Sequence, residues 1–540
     1  MNKYKQVFLS VLLLFSLCPL LQAGEWQWSV NLDEFVSKET GKCPQAFLWI
    51  PADCKQVKAI LLGQHNMAEE TLFENPLFRE KMRELGFGFV WITPGIEQQW
   101  DVTKGVQKIF DKMMNDLADT SGYKELKYVP IVPIGHSAMA TYPWNFAAWN
   151  PDRTLAVISY HGDAPRTNLT GYGRENLEWG RTRNIDGIPG LMVEGEFEWW
   201  EDRVTPALAF RMMYPRSCVS FLCDAGHGHF DTSDEVAMYI ALFLKKAAEH
   251  RLPATMPQDA PVNLLPVNPA KGWLAERWRQ DGSKRAKSAP FGKYRGDAHD
   301  AFWYFDEEIV RETEKRYAST AGKKEQYLGF MQEGKMISFN PLLHARMEIP
   351  NLRPEADGVT FHLKAVFTDT LRRKLSGDHA AVQPRINRIC GPVEVVNDTT
   401  FRISFYRMGM DNMLRTNDIW LVATAVGDRS YKNTVQQLDL RIPYRNTGGK
   451  RQTILFPSLP DVKAGTATLP LAATSDSALP VSYYVKTGPA ELVDGRLVFT
   501  RIPPRAKYPV KVTVVAWQYG IAEKVQTAEP VEQSFYITNK

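Results

Sequence analysis

Between residues 57 and 249, short continuous apolar runs alternate with stretches in which apolar residues recur every three to four positions. Residues 57–62, 87–92, 128–134, 154–160, 188–193 and 218–223 are runs of the first kind, the pattern of strands buried on both faces. Val106, Ile109, Phe110, Met113, Met114 and Leu117 show the second pattern, and 68–85, 204–213 and 233–249 read as further helices. Ahead of them, 26–30 and 46–50 flank a Gly-Lys-Cys-Pro turn and predict an opening antiparallel pair. This alternation implies an α/β domain built on a doubly wound, mainly parallel sheet with helices on both faces. Ligands of such sheets bind at the carboxyl ends of the strands.

The pattern changes after residue 250. Prolines crowd 252–269, a boundary or a chain crossing a domain surface. Residues 272–322 are polar and basic, carry Trp273, Trp278, Trp303 and Tyr304, and include a helical stretch at 306–317 that can wrap back over the first domain. Strand-like runs at 358–367, 400–406, 418–425 and 437–442 predict an antiparallel β-sandwich. From about 452 a separate unit begins, and its runs 473–490, 495–499 and 510–517 resemble bacterial immunoglobulin-like modules. The expected division is 1–23 leader, 24–252 α/β domain, 253–322 linker and wrapping segment, 323–451 β-sandwich and 452–540 immunoglobulin-like module.

The leader follows from Lys3 and Lys5 ahead of the apolar run 7–21, with Leu21-Gln22-Ala23 as a cleavage site, the form of a secretory signal peptide. A lipid anchor on Cys18 would need a small residue before it, and Leu17 stands there. No other run is long enough to span a bilayer, so an exported protein, periplasmic or at the cell surface, is expected. A net charge of +4 spread over 540 residues gives no basic patch, which argues against nucleic acid as a partner. Beyond the leader, five cysteines show neither a zinc spacing nor a C-x-x-C pair. Cys43 and Cys54 flank one strand and are placed to close a local loop, whereas Cys218 and Cys223 face opposite sides of theirs. No cofactor or metal motif is present.

Chemistry concentrates at Val132-Pro-Ile-Gly-His-Ser137-Ala-Met-Ala140. A strand stopping at Gly135 and followed by a buried helix forces Ser137 onto a sharp turn that lifts its hydroxyl clear of the backbone. The second glycine of the usual G-x-S-x-G pattern is replaced by Met139. With the Gln64-His65-Asn66-Met67 turn, the acidic segment after residue 193 and the Asp224-Ala-Gly-His227-Gly-His229-Phe-Asp231 segment before the last helix, the region 25–250 resembles the α/β-hydrolase superfamily.

That resemblance implies a serine hydrolase with Ser137 as nucleophile, His229 as base with His227 as the alternative, and Glu198 as the acid among Glu194, Glu196, Glu201 and Asp202. It implies an oxyanion hole from the amides of Ala138 and Met67. Trp199 and Trp200 are expected at the rim of the cleft, with His136 beside them on the substrate, while Trp144 and Trp149 suit core packing. An exported hydrolase with β-sandwich appendages points to ester substituents, acetyl, methyl or feruloyl, on a polysaccharide. The alternatives are an inactive hydrolase-fold glycan-binding protein, or a secreted peptidase of the same fold, against which stands the lack of the propeller-like repeats that gate such enzymes.

Overall fold

The structure is a computed structural model that describes residues 25–539, apart from 169, 171, 172, 200, 411 and 413–416. The leader, Cys18 and Trp200 therefore lie outside the described residues. Alternating strands and helices come in chain order as β1 (Trp28–Asn31), β2 (Gln45–Trp49), β3 (Ala59–Gln64), α1 (Ala68–Glu74), α2 (Pro76–Leu85), β4 (Phe87–Thr93) and α3 (Val106–Ser121). They continue as β5 (Ile131–His136), α4 (Tyr142–Trp149), β6 (Val157–Tyr160), β7 (Pro189–Gly195), α5 (Glu201–Met213), β8 (Cys218–Asp224) and α6 (Asp234–Arg251).

These strands form a sheet in the order β1-β2-β4-β3-β5-β6-β7-β8. β1, β2 and β4 pair antiparallel, and every neighbour from β4 through β8 is parallel. Successive side chains feed opposite faces, so Phe47, Phe89 and Trp91 enter one hydrophobic core while Leu48, Val90 and Ile92 enter the other. The chain is thus an α/β protein with a doubly wound, mainly parallel sheet of the α/β-hydrolase kind, followed by β-sandwich units.

Two expectations about local structure need correction. The single helix expected over 68–85 is two helices, because Pro76 holds Asn75 in extended conformation (ψ 121°). Asn75 then caps the second helix by accepting from the Phe78 amide at 2.9 Å. Cys43 and Cys54 do not close a loop. None of the five described cysteines is in a disulfide, and Cys54 is packed into the core with Leu48 and Ile60.

The segment after α6 adds to the first domain. Strand Ala301–Tyr304 lies against β8, with Ser220 Oγ donating to the Trp303 carbonyl (2.5 Å) and Tyr304 Oη to the Phe221 carbonyl (2.6 Å). Phe302, Trp303 and Tyr317 complete the same core as β8. Small, mainly antiparallel sheets then build two further cores, one from 328 to 442 that is joined by Tyr484, Val515, Trp517 and Tyr519, and one from 454 to 537.

The sheets of 328–442 sit over the carboxyl end of the main sheet. Phe230 and Met67 pack with Ala345, Trp420, Val422 and Val435, and Thr71 Oγ1 donates to the Ile389 carbonyl at 2.5 Å. A buried ionic cluster ties the same surfaces together: Arg407 Nη1 lies 3.1 Å from Glu70 and 2.5 Å from Glu74, and Arg388 lies 3.6 Å from Glu70. Removing one partner from such a cluster strands a buried charge, so the contact fixes how the two units are aligned.

Candidate active site

β5 delivers Ser137 at its carboxyl end. The residue has φ +53°, the left-handed region that a serine adopts only under strain, and it opens a short 3₁₀ turn through Met139. The next helix starts at Tyr142, where Pro143 is tolerated in the first turn because its missing N–H has no partner there in any case. The sharp turn requires two glycines. A Cβ on Gly135 would fall 1.8 Å from the Met139 carbonyl oxygen, and one on Gly162, just past β6, would fall 1.8 Å from Ala140 Cβ. The close approach is therefore made by Ala140, three residues past the serine, instead of by the second residue past it. Met139 turns the other way, into the space left by Gly95.

Loops after β7 and β8 bring two more groups to this serine. The Ser137 hydroxyl donates to His229 Nε2 at 2.7 Å, and His229 Nδ1 is paired with Glu198 Oε1. Glu198 closes the 3₁₀ turn Glu196–Glu198, which follows β7 directly. Its carboxylate is backed by Arg203 Nη1 (3.6 Å) from α5 and faces His161 Nδ1 (3.8 Å). Serine, acid and histidine thus lie in chain order at the ends of β5, β7 and β8, each on a turn anchored by a buried strand.

The electrostatics favour a neutral imidazole. Burial pushes His229 well below its ordinary value, and His136, His161, His344 and Arg346 push the same way. A neutral ring with its proton on Nδ1 can accept the serine proton at Nε2, the arrangement needed for nucleophile activation.

Supporting groups fix the elbow. Glu69, in the first turn of α1, accepts from the backbone amides of His136 (2.7 Å) and Met67 (3.0 Å), tying the end of β5 to the start of α1. Burial raises this carboxyl to about 7, with the backbone donors working against it.

Several expected site residues sit elsewhere. His136 does not face substrate: it is fully buried, its Nε2 donating to the His229 carbonyl at 2.8 Å, with Asn66 Nδ2 3.3 Å from Nδ1. It holds the catalytic-side loop from beneath, and burial keeps it neutral, with its value lowered to about 4. Trp199 is turned from the cleft onto Phe221 and Trp278, with Nε1 donating to Glu201 at 3.1 Å, because the segment 253–322 supplies an aromatic surface for it. Trp200, paired with it in the sequence reading, is among the residues not described.

The alternative base His227 is paired with Asp231 and does not meet Ser137. Asp231 also accepts from the Gly228 amide at 2.8 Å, so the pair shapes the turn that presents His229. The Met67 amide, expected in the oxyanion hole, is taken by Glu69, whose position two residues along at the helix start brings its carboxylate back onto that amide. Ala138 lies in the 3₁₀ turn that Ser137 opens. Among the rival acids, Glu196 accepts from the Gly226 amide (2.8 Å) and meets Lys432 (2.6 Å), and Glu194 lies 3.6 Å from Arg203. Trp144 is buried, with Nε1 on the Asp163 carbonyl, and Trp149 is half-buried at the core edge.

A cavity of about 430 Å³ opens over Ser137, His229 and Glu198. Its far wall comes from residues between 325 and 437 and includes His344, Arg346, Arg372, Lys432 and Gln436. Sequence reasoning missed these residues entirely, since nothing in their spacing ties them to a serine some 200 positions earlier. His161, Glu198 and His229 also offer ligand atoms within 4.8 Å of one another, a donor set that can accept a cation. Here His229 spends one ring nitrogen on Ser137 and the other on Glu198, so its geometry is that of a proton relay.

No protein-family model and no curated protein sequence matches the chain. Among solved structures it is similar to Est1E from Butyrivibrio proteoclasticus (17% identity, 41% of this chain and 99% of that one, TM-score 0.28). It is similar also to the fluorophosphonate-binding serine hydrolase FphF of Staphylococcus aureus (12%, 42% and 99%, 0.28) and to an esterase of Pyrobaculum calidifontis (15%, 42% and 87%, 0.30). The fold itself stands on the chain's own topology: strand order, the parallel run from β4 to β8 and the turn at Ser137 together make an α/β-hydrolase fold.

Proposed function

We propose that the protein is an exported serine esterase that removes ester substituents from a polysaccharide. The observation that carries this reading is the continuous relay from Ser137 Oγ through His229 to Glu198, with the first link at 2.7 Å. His229 Nε2 takes the hydroxyl proton as Oγ attacks the ester carbonyl. Glu198 fixes the Nδ1–H tautomer and stabilises the imidazolium that forms. The tetrahedral oxyanion is met by the Ala138 amide, and collapse expels the sugar alcohol, or methanol from a methyl ester, with a proton from His229. Water, activated by the same imidazole, then hydrolyses the acyl-enzyme.

Export is supported by the leader-like residues 1–23, and a polymeric substrate by a cavity whose wall is shared between the α/β unit and a β-sandwich unit. Acetylated xylan, methylated pectin and feruloylated arabinan cover the acetyl, methyl and feruloyl possibilities. Release of one of these groups by the wild type, reduced by about a thousand-fold or more in Ser137→Ala, is the expected result. Full activity in that variant would overturn the reading.

A further inference from the structure

The α/β unit supplies the relay, yet two guanidinium groups from the β-sandwich unit share its cavity. Arg346 and Arg372 lie on separate turns, and both have left-handed backbones, at φ +56° and +53°. Long side chains adopt this region rarely and at a cost, and such strain persists where the surrounding structure needs a side chain in one place. In the first turn the Arg346 amide donates to the Leu343 carbonyl (2.8 Å) and its carbonyl accepts from the Asn340 amide (2.9 Å). In the second the Arg372 amide donates to the Asp369 carbonyl (2.9 Å).

Neither arginine has a carboxylate within ion-pair distance among the described residues, whereas the acids of the cavity are already engaged. Glu198 is held by His229 and Arg203, Glu196 by Lys432 and the Gly226 amide, and Glu325 by the Tyr327 hydroxyl, with Lys432 4.0 Å away. The Arg372 guanidinium is stacked over Tyr327 (5.1 Å) and Phe339 (4.6 Å). Its Nε is buried without a hydrogen-bond partner, and its Nη1 reaches only the Thr370 carbonyl at 3.4 Å. Stacking of this kind pre-orders the fork and leaves its N–H edge for a planar oxyanion. Glu325 acts on Arg372 through space, but the cavity lining carries Arg203, Arg346, Arg372 and Lys432 against Glu196, Glu198 and Glu325, and that excess of positive charge is one an anionic ligand would neutralise.

We infer that Arg346 and Arg372 form a subsite for an oxyanion carried by the substrate, a carboxylate or a sulfate on a sugar unit next to the one whose ester meets Ser137. The substrate class narrows accordingly from any esterified polysaccharide to an acidic one. This rests on the esterase reading for its meaning, but the subsite is tested by binding alone.

The probes are a galacturonic acid trisaccharide for the carboxylate, a sulfated galactose oligosaccharide for the sulfate and a xylose trisaccharide as the neutral control. Each is titrated calorimetrically into full-length Ser137→Ala protein at low and at physiological salt. Stronger binding of either acidic probe than of the neutral one is expected, weakening with salt, and the tighter of the two identifies the group. Arg346→Gln, placed on the same background, should lower that affinity about ten-fold, the size of a lost charge-assisted contact. Arg346 is exposed, so this variant keeps its fold, which a thermal melt verifies. Arg372→Lys, which keeps charge but loses the fork, should weaken the same probe. Equal binding of acidic and neutral probes, or acidic binding indifferent to Arg346→Gln, overturns the subsite. Because Ser137 is absent throughout, failure of ester hydrolysis and failure of the subsite are read separately.

Discussion

The Met139 carbonyl occupies the place where a side chain on Gly135 would begin: a Cβ built at 135 falls 1.8 Å from that oxygen. Backbone cannot move aside as a side-chain tip can, so Gly135→Ala must distort the turn that presents Ser137. A loss of about 3 kcal/mol in denaturant-determined stability is expected, together with loss of activity. Met139→Leu, which conserves volume beside Gly95, should cost less than about 1.5 kcal/mol.

Glu198 and His227 separate relay from scaffold. Glu198→Gln keeps the shape but removes the charge that stabilises the imidazolium, so kcat should fall by about a thousand-fold or more with KM little changed. His227→Asn breaks the pair with Asp231 that shapes the turn. It should lower the melting temperature and leave kcat within about ten-fold, since mutations far from reacting atoms act through positioning. A larger kcat loss in His227→Asn than in Glu198→Gln would exchange the roles of the two histidines.

The pH profile follows from the depressed His229. The base works only when neutral, and burial with neighbouring His136, His161, His344 and Arg346 holds its protonation well below 6.5. kcat/KM should therefore stay level as pH falls through 6.5 and decline only at lower pH. Removing one of the repelling charges with Arg346→Gln makes protonation easier, so the acidic limb moves to higher pH. An acidic limb at or above 6.5 in the wild type would contradict the buried, cation-flanked setting of His229.

Glu69 ties pH to stability. Its carboxyl titrates near 4.5 when unfolded and is raised by burial to about 7 in the fold. Between those values the unfolded chain binds fewer protons, so this group makes stability fall as pH rises, by on the order of 3 kcal/mol across the window. Glu69→Gln has no proton to lose. The wild type should therefore lose stability relative to Glu69→Gln from pH 4.5 to pH 7, and a constant difference would mean that Glu69 is not ionising in that range.

Much of this was legible in the chain because the signals were local. The strand runs, the Gly135-x-Ser137 turn and the two histidines before α6 each depend on neighbours a few residues away. The Asn75-Pro76 break was legible in principle and was overridden by the apolar periodicity on either side. Met139 looked like a fault in the motif because its compensation is distant: Gly95 makes room for its side chain, and Ala140 with Gly162 restores the close approach. Trp199 and His136 were misplaced for the same reason, their partners being Trp278 and the His229 carbonyl. The cavity wall of Arg346, Arg372 and Lys432 had no local signature at all, since only the packing of the β-sandwich unit onto Met67 and Phe230 brings it to Ser137.

The most direct test of Ser137 as an activated nucleophile is covalent labelling of the folded, full-length protein with a fluorophosphonate probe, followed by peptide mass spectrometry. The expected result is a single adduct on Ser137, absent in Ser137→Ala and strongly slowed in His229→Ala. A folded wild type that takes up no label, or a Ser137→Ala protein labelled as fast as the wild type, would contradict it.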